Sequence, residues 1–301
     1  MLRQLRVQQR DDYRVEKDRC AQFLFLQANQ IPFPPLLGQW SDREALKSDL
    51  RTGAAIANAT AWPIFLKACH LTQHSSTGTI SISSREALHD GMDAIVDFVD
   101  DKWDFRANDR DREWEAEGDQ ITDVLQPGFV LQSPMTQPSD PQLRWGVPDG
   151  ERVSVGLVEV RVEVLWGLAY LVHLDATAFY RRDGVTEDYS GFLGGVLHQP
   201  PRLGPDRAWI ATEGYLQCAF SVAEQLAHAA HIEYIRVDVF LDRGQPGGCM
   251  VNEISLTSGY PYFGHGDYMA RLWAEPLKSK QYQLFGSDEA VYSLTTQSGS
   301  K

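Results

Sequence analysis

No apolar run in this 301-residue sequence approaches the roughly 20 residues that a membrane span needs. The longest, VLWGLAYLVHL at 164–174, has the length of a strand and carries Gly167. The N-terminus MLRQLRVQQRDDYRVEKDR has charge but no apolar stretch, so a secretory signal is not expected. Positive charge is in short supply: 28 Lys and Arg stand against 41 Asp and Glu, a formal net charge of −13. That balance argues against a nucleic-acid backbone or an anionic membrane as principal partner. Cysteine is scarce too. Cys20, Cys69, Cys218 and Cys249 lie far apart with no CxxC or metal-ligand spacing, which predicts free thiols in a reducing, cytoplasmic setting.

What is present is an ordinary globular composition, long enough for one large domain or two or three lobes. Helical spacing runs from Glu16 to Asn29 and stops before QIPFPPLLG, whose three prolines exclude helix. SDREALKSDL (41–50) predicts a short helix capped by Ser41, with Glu44 completing a capping box. AWPIFLKACH (61–70) and GTISIS (78–83) read as strands, and Ser84 caps a helix over REALHDGMDAIVDFVDD. Residues 101–126 are dense in charge of both signs and read as an exposed helical insertion. GFVLQS (128–133) is a candidate strand. SVGLVEVRVEVLWG and LAYLVHLDATAFYRR form a strand pair breaking near Gly167, and a Gly/Pro-rich loop fills 183–205. A long amphipathic helix at 208–231 leads into EYIRVDVFLDRGQPGGCMVNEISLTSG (233–259), two apolar runs around a turn. The expected organisation is an N-terminal segment and linker at 1–60, a small lobe at 61–125, a large lobe at 126–275 and a tail at 276–301.

The last hairpin carries chemistry inside strands that otherwise read as core. Arg236 and Asp238 share a face opposite Ile235, Val237 and Val239; Val251, Glu253 and Ser255 share one in the next strand, and Asn252 is expected to face the other way. Two carboxylates on adjacent strands suit a hard divalent cation such as Mg²⁺, and an arginine fork beside them suits a phosphate. A structural Arg–Asp–Glu ion-pair network is the alternative. Lys67 ends IFLK ahead of the small-residue loop ACHLTQHSSTGT, whose N–H groups suit phosphates or merely close a hairpin; the Walker A order is absent. Glu159, Arg161 and Glu163 share a face on the preceding strand, as a half-exposed strand or a ribose-binding carboxylate would have it.

In the order Lys17, LLG, WPIFLKACH, a Glu-led strand, a long helix and IRVDVFLD…VNEISLTSG, the chain resembles the ATP-grasp superfamily over residues 12–275. The likeness is greatest to the branch of teichuronopeptide and capsular-polysaccharide synthesis enzymes. It implies an α+β fold of mostly antiparallel sheets, two lobes clamping Mg²⁺ and ATP. It implies Lys17 and Lys67 on the phosphates, with His70, Ser76 and Gly78 in the flexible phosphate loop. Gln132 falls in the adenine-contacting segment and Glu159 on ribose; Arg236 lies on phosphate, Asp238 and Glu253 on metal. Ser255 stands where many relatives have an asparagine ligand. The implied reaction is ligation of a carboxylate to an amine through an acyl phosphate. Phosphorylation of a hydroxyl or polymer, or a non-catalytic ATP-grasp-like scaffold, stays open beside it. The loops 190–205 and 258–268, with His198 and His265, are candidate acceptor walls, with Arg181 or Arg182 for a carboxylate. Either they or a partner, in a homodimer or a substrate-presenting complex, supplies the acceptor site.

Overall fold

A computed structural model describes residue 16 and residues 18–71, 78–105, 125–135, 157–174, 177–181, 189–193, 196–198, 207–243, 248–256 and 270–274. The chain has a mixed α+β fold built on two antiparallel sheets. It divides into two units, Met1–Ala28 with Phe33–Arg144, and Asn29–Pro32 with Trp145–Lys301.

The first unit holds α1 (Arg19–Ala28), β1 (Leu36–Trp40), α2 (Arg43–Thr52), β2 (Ile64–Ala68), β3 (Thr79–Ile82), α3 (Arg85–Asp90), α4 (Met92–Asp104) and β4 (Phe129–Gln132). Its sheet runs β1-β4-β2-β3. Period-2 alternation sends Ile64, Leu66 and Ala68 of β2, with Phe129 and Leu131 of β4, into one core against Leu46 and Leu50 of α2 and Ile95 and Val99 of α4. Lys47 ties the two helices together at 3.1 Å from Asp100. The expected lobe boundary puts β4 in the large lobe, whereas its ladders with β1 and β2 place it in the first unit's sheet.

Local chemistry moves several expected boundaries. The α2 cap is Asp42, not Ser41: its carboxylate accepts from Ala45 N–H at 2.7 Å, and Glu44 pairs instead with Lys47. Ser84 caps α3 as expected, through the N–H of Ala87. The helix expected to follow it breaks at Gly91 into α3 and α4. β1, in the stretch after the prolines, is a strand that the sequence pattern did not announce.

The second unit holds β5 (Leu157–Leu165), β6 (Leu168–Leu174), β7 (Thr177–Arg181), β8 (Tyr189–Leu193), β9 (Val196–His198), α5 (Ala208–Thr212), α6 (Tyr215–Ala230), β10 (Tyr234–Asp242) and β11 (Cys249–Ser255). Its seven strands run β11-β10-β5-β6-β7-β8-β9. The loop expected over 183–205 therefore contains two short strands, and the long helix is interrupted at Gly214, which has φ 83°. β5 and β6 join through Trp166 and Gly167, both at positive φ (55° and 79°), a two-residue hairpin turn in which the glycine is conformationally at ease. α6 packs along β5, β6, β10 and β11. It buries Leu216, Phe220, Ala223 and Leu226 with the back-face residues Val160, Val162, Ile235, Val237, Val239 and Val251.

The expectation of free thiols is overturned. Cys20 bonds Cys69, and Cys218 bonds Cys249, so all four cysteines are paired. α1 lies against the 3₁₀ turn Cys69–Leu71, and α6 lies against β11. Packing thus brings together residues 49 and 31 positions apart, and wide spacing does not keep these thiols free. Among the described residues no helix is long and apolar enough to cross a membrane.

Candidate nucleotide and metal face

The face of the second sheet opposite α6 carries polar residues in cross-strand rows. In one row Arg161 of β5, Asp238 of β10 and Glu253 of β11 stand side by side. In the next row towards the start of β10 stand Glu163, Arg236 and Ser255. In the row on the other side, Glu159 lies opposite Phe240. β6 adds His173, opposite Arg161. Directly opposed side chains sit about 5 Å apart at Cβ, close enough for Asp238 and Glu253 to share one small cation.

A β-bulge corrects the expectation for Asn252. The register steps from Asp238↔Glu253 to Val239↔Val251, so Asn252 is the extra residue of β11. Its amide donates to Glu159 Oε1 at 2.6 Å, on the polar face rather than away from it.

Two arginines stand among four carboxylates on this face, and both approach Asp238. Arg236 forks onto Asp238 through Nε–Oδ1 at 2.8 Å and Nη2–Oδ2 at 3.1 Å, and Arg161 Nε lies 3.8 Å from Asp238 Oδ2. Burial pushes the Asp238 carboxyl up to about 7 against the pull of Arg236, with Glu253 and Glu159 adding to the rise. Glu163 is wholly buried, 0% exposed, beside fully buried Leu171. Its Oε2 accepts from the Tyr234 hydroxyl at 2.6 Å, and its Oε1 lies 3.9 Å from His173 Nε2 and accepts no hydrogen bond among the described residues. Burial drives this carboxyl to about 7, opposed by the Tyr234 bond and by Arg236.

This face gathers Glu159, Arg236, Asp238, Glu253 and Ser255. Arg181 ends β7 and His198 ends β9 in the same sheet, while Lys67, Gln132, His70 and Gly78 sit in the first unit. Lys67 is half-buried on the β2 face opposite the core, its Nζ 5.8 Å from the centre of the Phe65 ring. Gln132 stands across from Phe65, 2% exposed, and its Nε2 donor finds no partner among the described residues. The His70 ring is buried, with Nε2 at 3.0 Å from Lys102 O and 3.2 Å from Phe105 O, so it closes the end of α4. Gly78 lies so close to Leu71 that an added Cβ would meet Leu71 Cβ at 2.9 Å. Lys17, Ser76, Arg182 and His265 lie outside the described residues, as does most of loops 190–205 and 258–268. Sequence reasoning gave no role to Asn252, Tyr234 or His173, and it placed Glu163 on a half-exposed strand face, whereas the residue is wholly buried. The alternation that flagged Arg236 also covers Tyr234, two residues earlier, and Glu163; nothing in the sequence announces the bulge.

The donor set fits Mg²⁺, which typically takes one or two protein carboxylates and completes its shell with water and phosphate oxygens. Elsewhere, Asp18, Cys20 and Cys69 bring potential ligand atoms within 4.8 Å, but the two sulfurs are bonded to each other.

No family model and no curated protein matches the chain. Solved structures that match the chain include a RimK-domain ATP-grasp protein from Sphaerobacter thermophilus, at 17% identity over 88% of this chain and 68% of that one, TM-score 0.43. N5-carboxyaminoimidazole ribonucleotide synthetase from Thermotoga maritima matches at 14% identity over 93% and 53%, TM-score 0.41. D-alanine–D-alanine ligase from Bacillus anthracis matches at 12% over 88% and 65%, TM-score 0.40. The chain thus spans about half to two-thirds of the length of these proteins.

Proposed function

We propose that the protein is an ATP-dependent carboxylate–amine ligase of ATP-grasp type, working with Mg²⁺ and an acyl-phosphate intermediate. The observation that carries this reading is the row Arg161–Asp238–Glu253 beside the row Glu163–Arg236–Ser255 on the sheet face opposite α6. Such rows separate metal-binding carboxylates from a phosphate-binding arginine by one pleat. The resemblance in sequence supports the same assignment.

Asp238 and Glu253 would hold Mg²⁺, which on binding neutralises phosphate charge and aligns the terminal phosphoryl group for transfer. Arg236 is buried enough to have little alternative to a charged partner, and it would exchange Asp238 for phosphate oxygens. Glu159, oriented by Asn252, would accept from ribose hydroxyls. Lys67, Gln132 and the segment around His70 and Gly78 are assigned to ATP through the resemblance. Transfer to a substrate carboxylate gives an acyl phosphate, and attack by an amine expels phosphate and leaves an amide.

The test is product analysis with Mg·ATP and paired carboxylates and amines, amino acids first because they carry both groups. ADP, phosphate and an amide formed together support the reading. A phosphorylated product without amide would make the protein a kinase, and nucleotide binding with no turnover on any pair would count against ligation.

A further inference from the structure

We propose that Tyr234 and Glu163 together take the proton from the attacking amine, Tyr234 as the group that meets the substrate and Glu163 as the buried acceptor behind it. The inference rests on the ligase reading above and extends it to the acceptor side.

The register supplies the geometry. Reading β10 backwards along its polar face, Phe240 lies level with Glu159, Asp238 with Glu253, Arg236 with Ser255, and Tyr234 follows. Successive members are about 7 Å apart. If Glu159 holds ribose, Asp238 and Glu253 the metal, and Arg236 the terminal phosphoryl group, the nucleotide lies along β10 from Phe240 towards Arg236. Beyond its terminal phosphate comes the acceptor, and the next residue on that face is Tyr234.

Tyr234 is built for contact on one side and proton transfer on the other. Its ring is half-buried and meets Trp273 edge-on at 6.4 Å, and Trp273 stacks on Trp166 at 4.9 Å. This aromatic wall limits water where an acyl phosphate would otherwise hydrolyse. The hydroxyl donates to Glu163, which is sealed from solvent. Facing Glu163 are Tyr234, Arg236 and Asp238 from β10, His173 from β6 and Arg161 on its own strand; the helical segment 270–274, whose Trp273 meets Tyr234, carries exposed Arg271.

The step balances. The amine nitrogen forms its bond to the acyl carbon, and the carbon–oxygen bond to phosphate breaks with its electron pair leaving on phosphate. One N–H proton passes to the Tyr234 oxygen as the Tyr234 proton moves to Glu163 Oε2. The pair then resets by the reverse path to solvent once product has left.

The experiment compares wild type, Glu163→Gln and Tyr234→Phe near neutral pH, with common amino acids as carboxylate donors. Each preparation is given either a second amino acid or hydroxylamine, a nucleophile that is already neutral and needs no base. Amide formation is expected to fall about 100-fold or more relative to hydroxamate formation in both variants. Tyr234→Phe keeps the ring against Trp273 and serves if Glu163→Gln fails to fold. Equal losses with both nucleophiles, or none, would overturn the inference and leave the ligase reading standing. No ADP from the wild type with any pair would overturn both.

Discussion

Replacing Arg236 with alanine is expected to destabilise the second unit by roughly 3–5 kcal/mol, measured by urea unfolding, because Asp238 is left buried without its counter-charge. Asp238 is 5% exposed and takes both short bonds from this one guanidinium, while Arg161 stands off at 3.8 Å. Removing both charges with Arg236→Met and Asp238→Leu should restore most of the loss, since an apolar pair of similar volume has no desolvation to offset. A single variant costing under about 1 kcal/mol would mean that Arg161 or water compensates Asp238, contrary to the ion-pair geometry.

The second large effect is on the pH dependence of stability, in which Glu163 carries a share separate from that of Asp238. The Glu163 carboxyl rises from an ordinary 4.5 to about 7, driven by burial. Between those values the folded chain holds a proton that the unfolded chain has released, so stability falls as pH rises. The contribution is fully present below about 4.5 and lost as pH passes through 7. The size of that rise corresponds to about 3 kcal/mol. Glutamine cannot ionise and still offers Tyr234 an acceptor. Glu163→Gln should therefore gain about 3 kcal/mol relative to wild type between pH 4 and pH 8. Parallel stability profiles for the two proteins would show that Glu163 titrates at its ordinary value.

The polar face was legible because strand alternation is strict. Once Ile235, Val237 and Val239 read as core, Arg236 and Asp238 had to share the opposite face, and the ladder with β11 confirms it. Asn252 was not legible, because a bulge inserts one residue without a sequence signature and turns an expected back-face side chain forward. The disulfides were hidden for a related reason: helix-to-turn and helix-to-strand packing, not spacing, decides which sulfurs meet. β8 and β9 were obscured by the glycines around them, which read as loop although the strands pair as a hairpin. The α2 cap moved by one residue because Asp42 and Ser41 are both good cap residues and only the backbone chooses between them.

Thermal stability followed while ATP is titrated, with and without Mg²⁺, against wild type, Asp238→Asn and Glu253→Gln, decides whether this sheet face binds a metal–nucleotide pair. A ligand that binds only the folded state raises the melting temperature by mass action. A Mg²⁺-dependent rise is expected in the wild type and should be lost in both variants. A folded wild type with no shift at millimolar Mg·ATP would contradict it and return Asp238, Glu253 and Arg236 to a structural ion-pair network.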